Sequence, residues 1–417
     1  MRRRLADSLS RRLRAEDGWA MVVAIMVTAL MVSMGLATAV VIDSQTQGSA
    51  RERLDESDFN LAQGALISQM SILTATWPGG PGAAFPAQCT PANVSKQCPD
   101  PSMLRLSYNS VDYASAPTWN VQVRDNNTAT PDFYSDSGTA TQPHWDQNLD
   151  GRIWVRSTAT VKQHTQAVVG LIQVDKPTEE LPHSALIAGS LDISNNGNKP
   201  LICTKLPDDL SGNHDCASSS SQVGPVQMRC TTYTSSCLNV RDPIDNSVQI
   251  SPYNVQLGYP AASSLSPNAL NRLKARAQAD GTYYSGVCAP SMQGPQPGMV
   301  VFVESAGNCP YTANTTYNSL TTPGVFILNN TTLNLGGTST FYGVIYAANP
   351  PSSGTTVNLG GNTSVVGGIN IDGNGRLVAG SSHVNLIFDD FAFSKVTSYG
   401  AAHLVQNKWR QFVPSGP

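Results

Sequence analysis

The stretch WAMVVAIMVTALMVSMGLATAVVI, residues 19–42, carries no charged side chain over 24 positions. As an α-helix rising ~1.5 Å per residue it measures about 36 Å, enough to cross a hydrocarbon core of roughly 30 Å. It reads as a membrane span. The helical pattern continues beyond it, because no proline occurs from Met1 to Trp77, and Phe59, Ala62, Leu66, Leu73 and Trp77 recur at three- and four-residue steps or their sums. That is the spacing of one apolar helix face. Pro78-Gly79-Gly80-Pro81-Gly82 ends the run, so residues 19–77 are expected to form one helix, half in lipid and half against protein.

Residues 1–18 form a basic leader, with six arginines against Asp7, Glu16 and Asp17, a net charge of +3. This asymmetry predicts a cytoplasmic amino terminus and an extracellular remainder. A secretory signal peptide would have a shorter apolar region ending at a small-residue cleavage site. Here the polar cluster 43–47 leads back into a helical pattern, so the span is expected to be retained. Within it, Ser33 with Ala37 and Gly35 with Ala39 are small-xxx-small pairs that would let helices pack closely in lipid.

An arginine-rich leader ending in Gly18, the apolar start Trp19-Ala20-Met21-Val22-Val23, and a helix turning amphipathic before a larger domain together resemble type IV prepilins. The resemblance is closest to minor pilins of the PilX N-terminal type and covers about residues 1–77. It implies cleavage by a prepilin peptidase between Gly18 and Trp19, insertion into a pilus-like filament, and pilin-like subunits and assembly machinery as partners beside membrane lipid. Major pilins carry a glutamate where this chain has Val23; the departure resembles minor or tip subunits. The alternative is a permanently anchored single-pass surface protein.

The expected fold class is α+β: the long helix packed on a small antiparallel sheet, followed by a β-solenoid with a disulfide-rich insertion. After a Pro/Gly linker at 78–102, strand-like runs occupy Leu104–Tyr108, Trp119–Arg124, Arg152–Val161 and Ala167–Val174. Trp119, Val121 and Val123 alternate with polar residues, the period of a half-buried sheet. Residues 103–176 are therefore expected to cover the upper part of the helix. In this head Asp146-Gln147-Asn148-Leu149-Asp150-Gly151 matches the opening of a calcium loop, with Asp146, Asn148 and Asp150 as the oxygen donors. Ser157 stands where an EF-hand has its glutamate, and Asp150-Gly151 equally suits a hairpin turn; both readings stay open. No other cofactor is implied.

The solenoid is expected over 183–393. Leu333-Asn334-Leu335-Gly336-Gly337 aligns with Val357-Asn358-Leu359-Gly360-Gly361 at an offset of 24, which also places Gly343 on Gly367 and Ile345 on Ile369. Val384-Asn385-Leu386 repeats the first element 27 residues later. Short β-runs between glycines at such a period mark stacked turns, with the aliphatic residues inward and the asparagines outside. Ala185–Ser194 reads as a first turn. Residues 203–310 are assigned to a Cys-rich insertion that caps or decorates the stack and contains a helix at Ser266–Asp280, with Ser266 as N-cap and Gly281 past its end. Residues 394–417 are assigned to a closing segment over the last turn.

All eight cysteines (Cys89, Cys98, Cys203, Cys216, Cys230, Cys237, Cys288 and Cys309) follow the span. Their even number suggests disulfides in an oxidising compartment, with connectivity open. Without the leader the net charge changes from −3 to −6, leaving nothing basic to grip nucleic acid. Solenoid enzymes acting on carbohydrate need clustered carboxylates. Beyond Pro182 the chain has one glutamate, Glu304, and its last repeats offer only Asp372, Arg376, His383, Asp389 and Asp390. The expectation is a non-catalytic surface protein with structural or adhesive work, including a carbohydrate or other surface ligand. A carbohydrate-active enzyme is the remaining alternative.

Overall fold

A computed structural model describes residues 2–93, 95–107, 118–126, 142–193, 201–204, 226–232, 234, 236–240, 255–260, 264–350, 354–380 and 384–414. Helix α1 runs unbroken over Arg2–Ala75, through the leader and past Asp43. It is long and apolar enough to cross a membrane. Large apolar side chains from Met21 to Ile42 are exposed. The hydroxyls of Thr28, Ser33 and Thr38 donate to carbonyls one turn back, so these polar groups are satisfied within the helix, as an apolar surrounding would require.

Higher up, the apolar stripe is covered. Leu61, Ala62, Ala65, Leu66, Leu73 and Trp77 are buried in one cluster with Trp119, Val121, Val123, Ile153, Val155, Val168 and Ile172. Each large side chain removed from water contributes roughly 1.5–3 kcal/mol. The cover is an antiparallel sheet of β1 (Thr118–Asp125), β2 (Arg152–Val161), β3 (His164–Val174) and a C-terminal strand, Ala402–Phe412.

Two expectations fail here. Residues 101–107 form helix α2 (Pro101–Ser107), where a strand was expected from Leu104. Pro101 suits the first turn, and the Asp100 carboxylate accepts from Ser102 N at 2.8 Å. The tail does not close the last turn. Ala402–Phe412 pairs antiparallel with β3, with a register shift between Leu404 and Trp409. β3 is buried, with Ala167, Val168 and Val169 all enclosed, so the backbone N–H and C=O groups on both of its edges need partners, which β2 and Ala402–Phe412 supply. Trp409 packs edge-on against Phe59 of α1.

The chain therefore leaves the antiparallel sheet after β3 and returns to finish it more than 200 residues later. Between these points lies a curled parallel sheet. Its strands are β4 (Leu186–Ala188), β5 (Ser190–Ile193), β6 (Leu201–Thr204), β7 (Val226–Met228), β8 (Leu238–Val240) and β9 (Val255–Leu257). After helix α3 (Pro267–Asp280) come β10 (Tyr283–Ser285), β11 (Val300–Tyr311), β12 (Thr316–Tyr317), β13 (Gly324–Leu335), β14 (Thr340–Ala348), β15 (Thr355–Leu359), β16 (Ser364–Ile371), β17 (Arg376–Ala379) and β18 (Asn385–Phe388). A short helix α4 (Asp390–Phe393) and β19 (Ala402–Phe412) follow.

The repeat is visible in the register. Gly343 lies beside Gly367, Ile345 beside Ile369, and Leu333 beside Val357, as the offset of 24 requires. Leu333, Leu335, Val357, Leu359, Val384 and Leu386 share one core. Asn358 Nδ2 donates to Asn334 Oδ1 at 3.3 Å. Val384-Asn385-Leu386, however, does not continue that stack. Asn385 and Leu386 pair with Ser364 and Val365, whereas Val357 pairs onward with Leu377. Asn385 Nδ2 donates to Ser364 Oγ instead.

Chain order and spatial order also differ. One ladder runs β9-β7-β4-β16-β14-β13-β11-β10, all parallel. The chain enters this stack in the middle, at β4, and its last turn docks back onto the first through Ile369–Leu186, Leu377–Leu191 and Leu386–Ile202. Residues assigned to a decorating insertion thus supply rungs at both ends. Helix α3 fulfils its signals: the Ser266 hydroxyl accepts from Ala269 N, and Gly281 is left-handed at φ 70°.

Gly343 and Gly367 each have φ 141°, and a Cβ at either would overlap the backbone oxygen of the glycine on the adjacent strand, Gly324 or Gly343. Because those obstacles are ladder backbone, neither can move aside. Gly343→Ala is expected to destabilise the fold by on the order of 2–4 kcal/mol, read as a lowered Tm; an unchanged Tm would contradict this packing.

Candidate functional site

Four buried charged side chains, Asp125, Asp146, Arg276 and Asp280, gather in the region where the end of α1 meets the antiparallel sheet and α3. The loop Asp146–Gly151 lies at its centre. Asp146 is fully buried: its Oδ2 accepts from Gly151 N (2.8 Å) and Trp77 Nε1 (3.3 Å), and its Oδ1 from Asp150 N (3.1 Å). Lys176 Nζ donates to Leu149 O at 2.6 Å and stands 3.9 Å from Asp146 Oδ2. Burial pushes the Asp146 carboxyl up to about 6 against the pull of Lys176. Burial also lowers the Lys176 ammonium below its ordinary value.

Beyond Lys176 the network enters α3. Asp280 Oδ1 accepts from Tyr399 OH at 2.5 Å, and its Oδ2 from Arg276 Nε at 3.4 Å. Arg276 also donates to Thr397 O at 2.6 Å. Asp280 is completely enclosed, which raises its pKa. Gly79 makes the close approach possible: a Cβ there would overlap Asp280 Oδ1 and the Tyr399 hydroxyl.

Asp125 ends the inward-facing row Trp119, Val121, Val123 on β1. It is fully buried, and among the described residues neither carboxylate oxygen has a hydrogen-bond partner. Burial first, and then the charge of Asp146, push it up to about 6. Next to it, Asn126 Nδ2 donates to Asp150 Oδ2 (2.7 Å) and Asn148 Nδ2 to Asn126 Oδ1 (3.3 Å). The motif named Asp146, Asn148 and Asp150 but not Asp125 or Asn126, since nothing in sequence spacing ties β1 to a loop twenty residues on. Among the described residues no three His, Cys, Asp or Glu side chains converge as a metal requires.

The remaining sequence candidates are dispersed. Gly18 and Trp19 lie within α1, and Trp19 is exposed. Asp372 is buried, held by Ser264 N (2.8 Å), the Tyr346 hydroxyl and Arg229. Arg376 pairs with Asp192, Asp389 caps α4, and Asp390 meets His183 at 2.5 Å. His383 lies outside the described residues. Disulfides join Cys89 to Cys98, Cys230 to Cys237 and Cys288 to Cys309; Cys216 lies outside the described residues, so its pairing with Cys203 stays open.

No family model and no curated protein matches the chain. Among solved structures, the competence-associated pilin ComZ from Thermus thermophilus aligns over 86% of this chain and 98% of its own, at 9% identity and a TM-score of 0.25. A score that low carries no argument about fold or function.

A further carboxylate, Asp58, is buried under the sheet on α1, above the membrane segment, and its oxygens have no hydrogen-bond partner among the described residues. Burial, helped by the neighbouring charge of Asp55, pushes it up to about 6. Its folded pKa lies above its unfolded value, so stability falls as pH rises from about 4 to 6 and stays low above that window. Asp58→Asn is expected to remove this slope and to stabilise the protein at pH 7.5 by about 1–2 kcal/mol while leaving pH 4 unchanged. Thermal melts at both pH values check it; an equal shift at both would contradict the assignment.

Proposed function

We propose that this chain is a minor pilin-like surface protein of the PilX N-terminal type. The observation that carries the reading is α1 itself: one unbroken helix, bare and apolar over residues 21–42 and roofed by a sheet from residue 61 to its end at Ala75. A tether alone needs only the lower half. A helix that must leave lipid and pack among other helices needs a rigid upper half carrying its own cargo.

In this reading the leader stays cytoplasmic and is cut between Gly18 and Trp19. The helix then passes from the membrane into a filament, held by lipid first and by other pilin-like subunits afterwards. Val23 makes the chain a minor rather than a shaft subunit. The curled parallel sheet is read as a β-solenoid, supported by the offset of 24 in its ladders, the shared aliphatic core and the asparagine pair across rungs. Presented outside the cell, it does structural or adhesive work toward a surface ligand such as carbohydrate. The role is non-catalytic: Asp372, Arg376, Asp389 and Asp390 each serve a separate structural contact.

Mass spectrometry of the protein from its native host tests the proposal. An amino terminus at Trp19, lost on replacement of Gly18 by a bulky residue, is the expected result. An intact Met1 in protein recovered from the surface would support the anchor reading instead.

A further inference from the structure

We infer that the Asp146–Gly151 loop and the end of β1 form a calcium site with five protein side chains: Asp125, Asn126, Asp146, Asn148 and Asp150. The inference is independent of the pilin reading. Its decisive observation is Asp125, a carboxylate with no accessible surface and no close hydrogen bond among the described residues, on which only the backbone N–H groups of Asn126 and Gln147 act favourably. An ionised group left this way is strongly unfavourable and calls for a compensating charge. Its neighbours supply none, since Asp146 and Asp150 are the charges acting on it.

Charge and donor chemistry define the ligand. Three aspartates against Lys176 leave a local charge of −2, which a divalent cation neutralises. Every donor is an oxygen, from carboxylates and side-chain amides, with no thiolate or imidazole among them, which selects a hard cation. Calcium accepts six to eight oxygens in irregular geometry, whereas magnesium demands a near-octahedral shell and gives up its own waters reluctantly. The Asp146 carboxylate already accepts from Gly151 N, Trp77 Nε1 and Asp150 N, which leaves about one of its four lone-pair sites for a cation.

Binding requires one rearrangement. Asp150 must give up its 2.7 Å bond from Asn126, freeing both side chains to turn toward Asp125. A cation would offset the mutual repulsion of the three carboxylates as they are drawn together. The consequence reaches beyond the loop, because Asp146 also holds the Trp77 indole at the end of α1 and faces Lys176, whose charge is felt by Asp280 of α3. Calcium would stiffen the joint between the helix, its sheet and the curled module.

The test uses full-length protein in detergent, stripped with a chelator and titrated with calcium by calorimetry and thermal melting. The expected result is one bound calcium and a Tm rise of about 3–5 °C at saturation. Both are lost in Asp125→Asn and in Asp150→Asn, while the chelated Tm of each variant stays at or above that of the parent. Terbium luminescence excited through the nearby tryptophans should follow the same pattern. Absence of binding by the folded parent would overturn the inference, as would calcium responses that persist in both variants. Magnesium giving an equal shift would overturn the assignment to calcium.

Discussion

The apolar stripe on the upper half of α1 is the constraint from which the rest of the architecture follows. A helix of 74 residues cannot keep Leu61, Leu66 and Leu73 on one face in water, with Trp77 just past its end beside them. The sheet covers that face from β1 to β19, and its inward rows of Trp119, Val121 and Val123 and of Ile153 and Val155 exist to meet it. Over Met21–Ile42 the same helix exposes its large apolar side chains and is long and apolar enough to cross a membrane. One unbroken element thus carries an exposed apolar stretch and a covered one.

That division explains why the large parallel module is attached where it is. It is inserted between β3 and β19, so the sheet over the helix can close only after the module has been made. The two chain segments that enter and leave the module bond to each other: Asp175 with Ala401 and Gly400, Pro177 with Ser398, and Glu179 with Val396. A bidentate Arg272–Glu179 pair at 2.6 Å fastens α3 to this neck. The half-buried to buried set of Trp77, Asp146, Lys176, Asp280 and Tyr399, joined by hydrogen bonds and by the charge of Lys176 on Asp280, then links the helix end to the same place. Such groups are costly unless mutually satisfied, so the joint favours one orientation over a swivelling tether.

Much of this was legible in the residues. The uninterrupted helix, β1 to β3, the capped α3 and the offset of 24 all rest on local signals: absence of proline, alternation, an N-cap and repeated glycines. What escaped depended on distant partners. Residues 402–412 read as a capping tail because their pairing partner, β3, lies more than 200 positions earlier. Val384-Asn385-Leu386 resembles the earlier rungs in composition, yet it belongs to another ladder, since a strand's neighbour is decided by where the chain turns. Short runs such as Val226–Met228 and Val255–Leu257 hold too few residues to announce a period; only stacking on β4 makes them strands. Of the candidate site, the loop was visible and Asp125 was not, because the residue that completes it comes from an adjacent strand.

The account therefore rests on continuity of α1 between lipid and sheet. Hydrogen–deuterium exchange on the full chain in lipid nanodiscs measures it directly, residue by residue, along 19–77. Continuous slow exchange is predicted, with no fast segment between Asp43 and Gly48 and strong protection from Leu61 to Leu73. Rapid exchange at Asp43–Gly48, with protection lost above it, would mean a hinged helix detached from its sheet and would contradict the account.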